Sequence, residues 1–232
     1  MRKSRIILFN PNTSSAVTAD MVALACISHA CWATIEGRTA SVGPSIILSE
    51  ADLRQAEISV HDFGRDMAGT GWPTDAIVIA AFGDPGVASL RQVSPVPVIG
   101  IGEAALEEAA AYGGRFSIVT TTPDLESSIR KKAEQSGLTN LASLRLTAGS
   151  PIEVMSDPDR LDEALGSLIS SVIDEDHPAA VVVAGGPLAA SAHRLAPKFT
   201  IPVVDPVSAA FRRLQQILGH TGDDPHAGIA TA

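Results

Sequence analysis

The apolar positions fall in short unbroken runs separated by longer stretches that repeat every three or four residues. Asp75-Ala76-Ile77-Val78-Ile79-Ala80-Ala81 is the clearest run, with no polar alternation, and it ends in Phe82-Gly83-Asp84-Pro85-Gly86. A run of this kind reads as a parallel strand buried on both faces. Val181-Val182-Val183-Ala184 followed by Gly185-Gly186-Pro187 has the same form. Arg5 to Phe9, Thr34 to Ser41, Pro97 to Gly100, Arg115 to Val119, Ser143 to Thr147 and Pro202 to Val204 supply the remaining strands. Between them the pattern predicts helices: one running to about Ala30, then Glu50 to Met67, a short one after Gly86, and one opening at Gly102-Glu103. Further helices follow over about Leu125 to Ser136, Asp157 to Asp174, up to about Leu195, and Pro206 to Leu218. Thr13 or Ser14, Ser49 and Thr122 stand where N-caps belong. His220 to Ala232, rich in Gly, Asp and Ala, reads as a frayed tail.

Strand alternating with helix throughout gives an α/β protein with parallel sheets. The chain also repeats itself. One constant separation lays Ala76 over Val181, Ala81 over Gly186 and Pro97 over Pro202, and Arg5-Ile6-Ile7 resembles Arg115-Phe116-Ser117. A repeat this long is a duplicated lobe, since solenoid repeats are far shorter. We expect two pseudo-symmetric parallel-sheet lobes with a site in the cleft between them. The first spans residues 1–99 and is completed by 206–232; the second spans 100–205.

In open α/β sheets ligands bind outside the C-terminal ends of the strands. Four stretches stand there: Asn10-Pro11-Asn12-Thr13-Ser14, Ala81 to Gly86, Thr120-Thr121-Thr122-Pro123 and Gly185-Gly186-Pro187. The first is a turn that caps the next helix, or a nest of N–H groups, hydroxyls and amides able to hold a carboxylate or ureide; Thr120 to Pro123 is again a cap, with more hydroxyls than capping needs. Asn10, Asn12, Thr13, Ser14, Thr120, Thr121 and the backbone N–H groups around Phe82-Gly83 and Gly185-Gly186 are therefore the expected ligand contacts.

Composition narrows this further. The chain has 232 residues, 45% hydrophobic and 19% charged, with a net charge of −9. That fits a folded protein and disfavours a nucleic-acid partner, because no basic patch stands ready to neutralise phosphates. No run approaches the ~18 apolar residues that span a bilayer. The basic start Met1-Arg2-Lys3-Ser4-Arg5 is followed by too short an apolar stretch for a signal peptide, whose core takes roughly 7–15 residues. A cytoplasmic location is expected, with a small-molecule substrate and further copies of the chain as partners. The two cysteines, Cys26 and Cys31, both read as buried packing residues of the first helix. No metal cluster, phosphate loop or dinucleotide fingerprint is present in the sequence, and the six histidines are scattered.

Taken in order, Asn10-Pro11-Asn12-Thr13-Ser14, Gly43-Pro44, Phe82-Gly83-Asp84-Pro85-Gly86, Thr120-Thr121-Thr122-Pro123 and Gly186-Pro187-Leu188-Ala189 resemble the Asp/Glu racemase superfamily, in its hydantoin and allantoin racemase branch. The resemblance implies two lobes with a site between them and no cofactor. It also implies two cysteines facing each other across the substrate. One thiolate removes the proton beside a carbonyl and the other thiol returns one from the opposite face. The family positions fall on Ala81 and Gly186 here, and neither a methyl group nor a hydrogen carries a proton. Three readings stay open. The scaffold runs different chemistry through Asp84, Asp205 or the Thr121 hydroxyl, with an activated water; or it binds a ligand without catalysis; or the cysteines have been removed from a racemase.

Overall fold

A computed structural model describes residues 2–220; His226 and the rest of the expected tail lie outside them. In chain order the elements are β1 (Ser4–Asn10), α1 (Ser15–His29), β2 (Ala33–Thr39), α2 (Glu50–Gly69), β3 (Ala76–Ile79), α3 (Val87–Val93), β4 (Val98–Gly100) and α4 (Ile101–Ala111). The second half runs β5 (Phe116–Thr120), α5 (Glu126–Gln135), β6 (Leu141–Leu146), α6 (Pro151–Val154), α7 (Pro158–Asp176), β7 (Ala180–Val183), α8 (Ala189–Leu195), β8 (Val203–Val204) and α9 (Pro206–Ile217).

The strands form two four-stranded sheets, ordered β2-β1-β3-β4 and β6-β5-β7-β8, with every pairing parallel. The orders are the same, so the duplication expected from the sequence is present in the fold. Its register differs by one residue from the sequence pairing. Ile6 pairs with Ala76 and Phe116 with Ala180, and beyond the strands Ala80 N–H donates to Phe9 O just as Ala184 N–H donates to Val119 O, both at 2.8 Å. The counterpart of Ala76 is therefore Ala180, and that of Ala81 is Gly185, not Gly186. The edge strands keep the sequence pairing: Ile77 N–H donates to Pro97 O and Val181 N–H to Pro202 O. The second half carries its extra residue between β7 and β8.

Both faces of each sheet are covered, which is why the strands are unbroken apolar runs. Ile7, Phe9, Ile77 and Ile79 pack against Val60, Phe63 and Met67 of α2 and Val87 and Leu90 of α3. Phe9 stacks on Phe63 with ring centroids 4.2 Å apart. In the second half Val119, Val181 and Val183 pack against Leu161, Leu165, Ile169 and Val172 of α7. The inner faces share one core. Ile6, Leu8 and Val78 join Phe116, Ile118 and Val182 through residues of the intervening helices, such as Leu24, Leu106 and Phe211. Each such side chain taken fully out of water contributes about 1.5–3 kcal/mol. Two helices cross between the halves. α4 follows β4 but packs on β7 and β8, and α9 follows β8 but packs on β3 and β4. Arg212 forks onto Glu108 with both contacts at 2.8 Å, joining α9 to α4.

Side-chain oxygens cap the helices as their sequence positions suggest. Ser14 accepts from Val17 N–H, Ser49 and Asp52 form a reciprocal capping box, and Asp157 accepts from Asp159 and Arg160 N–H. Thr122 makes no such bond and precedes a 3₁₀ turn. Cys26 lies in α1 and is half-buried. Cys31 lies beyond the helix and is exposed, so the expectation of two buried packing cysteines does not hold. Among the described residues no helix is long and apolar enough to cross a membrane.

Candidate functional site

A cavity of about 680 Å³, counted with its open mouth, lies where the C-terminal ends of the two sheets meet. Its floor repeats the duplication. Ala80, Ala81, Phe82 and Gly83 line it from the first sheet, and their counterparts Ala184, Gly185, Gly186 and Pro187 from the second. Asn12 and Thr122 both line it, each two residues past the end of a first-in-sheet strand. The polar part is thus one amide and a run of hydroxyls from Thr120 to Thr122, with Ser128 at the side.

These groups are held by their neighbours. Asn10 is fully buried and donates from Nδ2 to Asn12 Oδ1 at 2.8 Å and to Thr18 Oγ1 at 3.0 Å. Asn12 Oδ1 also accepts from Ser14 N–H at 2.9 Å. The Asn12 oxygen is doubly engaged, and its NH₂ is the end left to donate. Thr120 Oγ1 donates to Ala184 O at 2.8 Å, tying the end of β5 to the end of β7. Thr121 Oγ1 lies 3.8 Å from Met155 Sδ.

The remaining walls are apolar. Ile46, Ile47, Leu48 and Leu53 come from the β2–α2 loop and the start of α2, and Leu125, Ile129, Met155 and Leu188 from the other half. Sequence reading missed all of them. The available signal was three consecutive apolar residues, Ile46-Ile47-Leu48, in a loop opened by Gly43-Pro44-Ser45, where turn chemistry calls for polar residues. The loop is pinned: Thr13 N–H donates to Pro44 O at 2.9 Å, and Leu48 N–H to Asp52 Oδ2 at 3.0 Å.

Of the expected contacts, Asn12, Phe82, Gly83, Thr120, Thr121, Gly185 and Gly186 line the cavity, as does Ala81. Asn10, Thr13 and Ser14 do not. Asn10 stands behind Asn12, Thr13 anchors the loop, and Ser14 caps α1. Of the three expected catalytic residues only Thr121 lines the cavity. Asp84 turns its carboxylate away, onto the start of α4. Oδ1 accepts from Gly102 N–H at 2.8 Å, Oδ2 from Glu103 N–H at 2.7 Å, and Lys132 Nζ stands 2.5 Å away. The reason is local. Asp84 has φ of +49°, a left-handed conformation, and the missing side chain of Gly100 leaves the space its carboxylate occupies. Burial pushes its carboxyl up to about 6, against the pull of Lys132. Asp205 caps α9, accepting from Ser208 N–H at 2.7 Å, with His193 Nδ1 at 3.9 Å. The cavity lining contains no ionisable side chain among the described residues.

Two like α/β halves, each a four-stranded parallel sheet, meet at a pocket at their strand ends. The chain belongs to the Asp/Glu/hydantoin racemase family, whose model matches residues 6–214. It is 31% identical over 216 residues to the hydantoin racemase of Paenarthrobacter aurescens, an alignment covering 92% of this chain and 91% of that one. Among solved structures, allantoin racemase from Klebsiella pneumoniae superposes with a TM-score of 0.86 at 33% identity, covering 94% of this chain and 88% of that one. Allantoin racemase from Pseudomonas fluorescens gives 0.82 at 28% identity, covering 96% and 94%.

Proposed function

We propose that this chain takes a small neutral ring of amide or ureide character, carrying an apolar substituent, into the cleft between its lobes. The observation that carries the reading is the make-up of the cavity: neutral donors and acceptors at the strand ends, apolar walls around them, and no ionisable side chain in the lining. A buried carboxylate needs a cation or several aimed donors, whereas an amide is satisfied by neutral hydrogen bonds. Asn12 NH₂, the Thr121 hydroxyl and the strand-end N–H groups supply such partners. A hydantoin ring fits this chemistry, and the named relatives act on a hydantoin or on allantoin. Ala81, Gly185 and Gly186 offer no acid or base, so thiol two-base racemisation is not open to the chain. Asp84 and Asp205 serve as helix caps in this reading.

The relatives favour a second reading, proton exchange beside a carbonyl of the same ring. Its carrier would be the Thr121 hydroxyl or a water held beside it, since Thr121 is the one expected catalytic residue that lines the cavity.

Calorimetric titration with benzyl- and isobutyl-substituted hydantoins, allantoin and aspartate tests the first reading. Tightest binding by the apolar-substituted hydantoins supports it; binding of aspartate in preference to all of them overturns it.

A further inference from the structure

Asp84 and Lys132 meet behind the cavity lining, each attached to a segment that lines it. Phe82 and Gly83, immediately before Asp84, line one wall; Ser128 and Ile129, one turn before Lys132 on α5, line the other. The ammonium and carboxylate meet at 2.5 Å, with side-chain exposures of 17% and 3%. The space for this contact is specific. A Cβ on Gly100 would stand 2.2 Å from Asp84 Cγ, and one on Gly102 would stand 2.7 Å from Lys132 Cε. The other charged group bearing on Asp84 is Glu103 of α4, which is itself paired with Arg91 of α3. A second, exposed contact, Ser128 Oγ donating to Glu50 Oε1 at 3.1 Å, joins the same helix to α2.

We propose that Asp84 and Lys132 are a positioning pair that sets the width of the cleft, so that a ligand is gripped only while both are charged. The proposal rests on the reading that the cleft is the ligand site. Burial opposes the charge on Asp84 more than Lys132 favours it, so protonation of the carboxylate is what breaks the pair. Protonating Asp84 therefore leaves the Lys132 ammonium to seek water, and α5 moves with it, carrying Ser128 and Ile129. The upward push of burial on Asp84 puts this change near pH 6, within reach of a binding experiment.

The test is calorimetric titration of the full chain with a benzyl-substituted hydantoin, from about pH 7.5 down to about pH 5, with fold monitored by circular dichroism. Affinity of the unaltered chain should fall about tenfold across that range, a usual size for coupling between sites. Asp84→Asn should bind weakly at every pH, and Lys132→Met should do the same. Lys132→Arg should restore affinity and its pH step. His29→Phe, outside the cavity lining, should keep the step. The profile of the unaltered chain needs no variant, so failure of one to fold leaves the proposal open to refutation. Binding that is flat with pH and equal in Lys132→Met overturns the pair alone. No binding of the probe at any pH overturns the cleft reading, and the proposal with it.

Discussion

Ala81 and Gly185 occupy equivalent places, each the second residue past a central strand, and both line the cavity between the sheets. The residue before each donates its N–H to the neighbouring strand in the same way. What the two residues lack is a proton carrier, and the neutral lining around them offers no substitute base.

Asn10 should matter to the site without touching a ligand. Its amide holds Asn12 and Thr18 from a fully buried position. Asn10→Ala removes these bonds and leaves Asn12 N–H, which donates to Asn10 Oδ1 at 3.2 Å, without its partner, which costs about 1–3 kcal/mol. Urea denaturation should show that loss, and titration with a substituted hydantoin should show weakened binding as Asn12 loses its orientation. Unchanged stability would contradict the assigned network.

Glycine substitutions should separate packing from conformation. A Cβ on Gly102 would stand 1.9 Å from Phe82 O, a backbone atom with nowhere to go. Gly102→Ala should therefore destabilise by about 1–3 kcal/mol or more. Gly166 sits inside α7, where a Cβ would meet Leu195 Cδ2 at an ordinary 3.5 Å. Gly166→Ala should stabilise by about 0.5–1 kcal/mol through helix propensity. Equal effects at the two sites, read from denaturation midpoints, would contradict the packing described.

Acid should weaken the fold through His29. Its ring is buried, stacks on Phe211 with centroids 5.4 Å apart, and accepts from Trp32 Nε1 at 3.4 Å. Burial, with the Arg212 charge, pushes its pKa from 6.5 down to about 4. The folded-state value lies below the unfolded one, so its contribution is whole above about 6.5 and is lost as pH falls toward 4. The loss amounts to about 3 kcal/mol at one pKa unit per 1.36 kcal/mol. Asp84 acts in the opposite sense. Its raised value makes the folded state hold a proton more tightly, so its own contribution grows as pH falls from about 6. Comparing His29→Phe with the unaltered chain at several pH values isolates the histidine. A difference between the two that does not change with pH would contradict a neutral buried His29.

Much of the fold was legible because parallel strands buried on both faces leave unbroken apolar runs, and because Ser14 and Ser49 stand where caps are needed; Thr122 stands in such a place too but makes no cap bond. The register between the halves was not. An unbroken run carries no in-and-out alternation to fix a pairing, so Ala81 matched Gly186 by sequence and Gly185 by hydrogen bonds. The polar floor of the site was legible from Asn12 and Thr120 to Thr122 at strand ends. The direction of Asp84 was not, because an Asp before Pro in a turn faces a cleft or caps a distant helix with equal ease, and only Gly100, Gly102 and Lys132 decide which. The apolar wall at Ile46 to Leu48 stood in a loop, where no periodicity marks it.

The most direct measurement is proton exchange in D₂O with substituted hydantoins and allantoin. It compares the unaltered chain with the Ala81→Cys/Gly185→Cys and Ala81→Cys/Gly186→Cys variants. Losing one general acid or base costs roughly 10²–10⁴-fold, and the unaltered chain has neither at these positions. It should therefore exchange at the buffer rate, while a double variant with a thiol on each side of the ring exchanges measurably faster. The Gly185 site has φ of +154°, so the backbone must adjust there to accept a side chain, which is why both pairs are compared. Exchange above the buffer rate by the unaltered chain would contradict the account and assign proton transfer to a group such as Thr121.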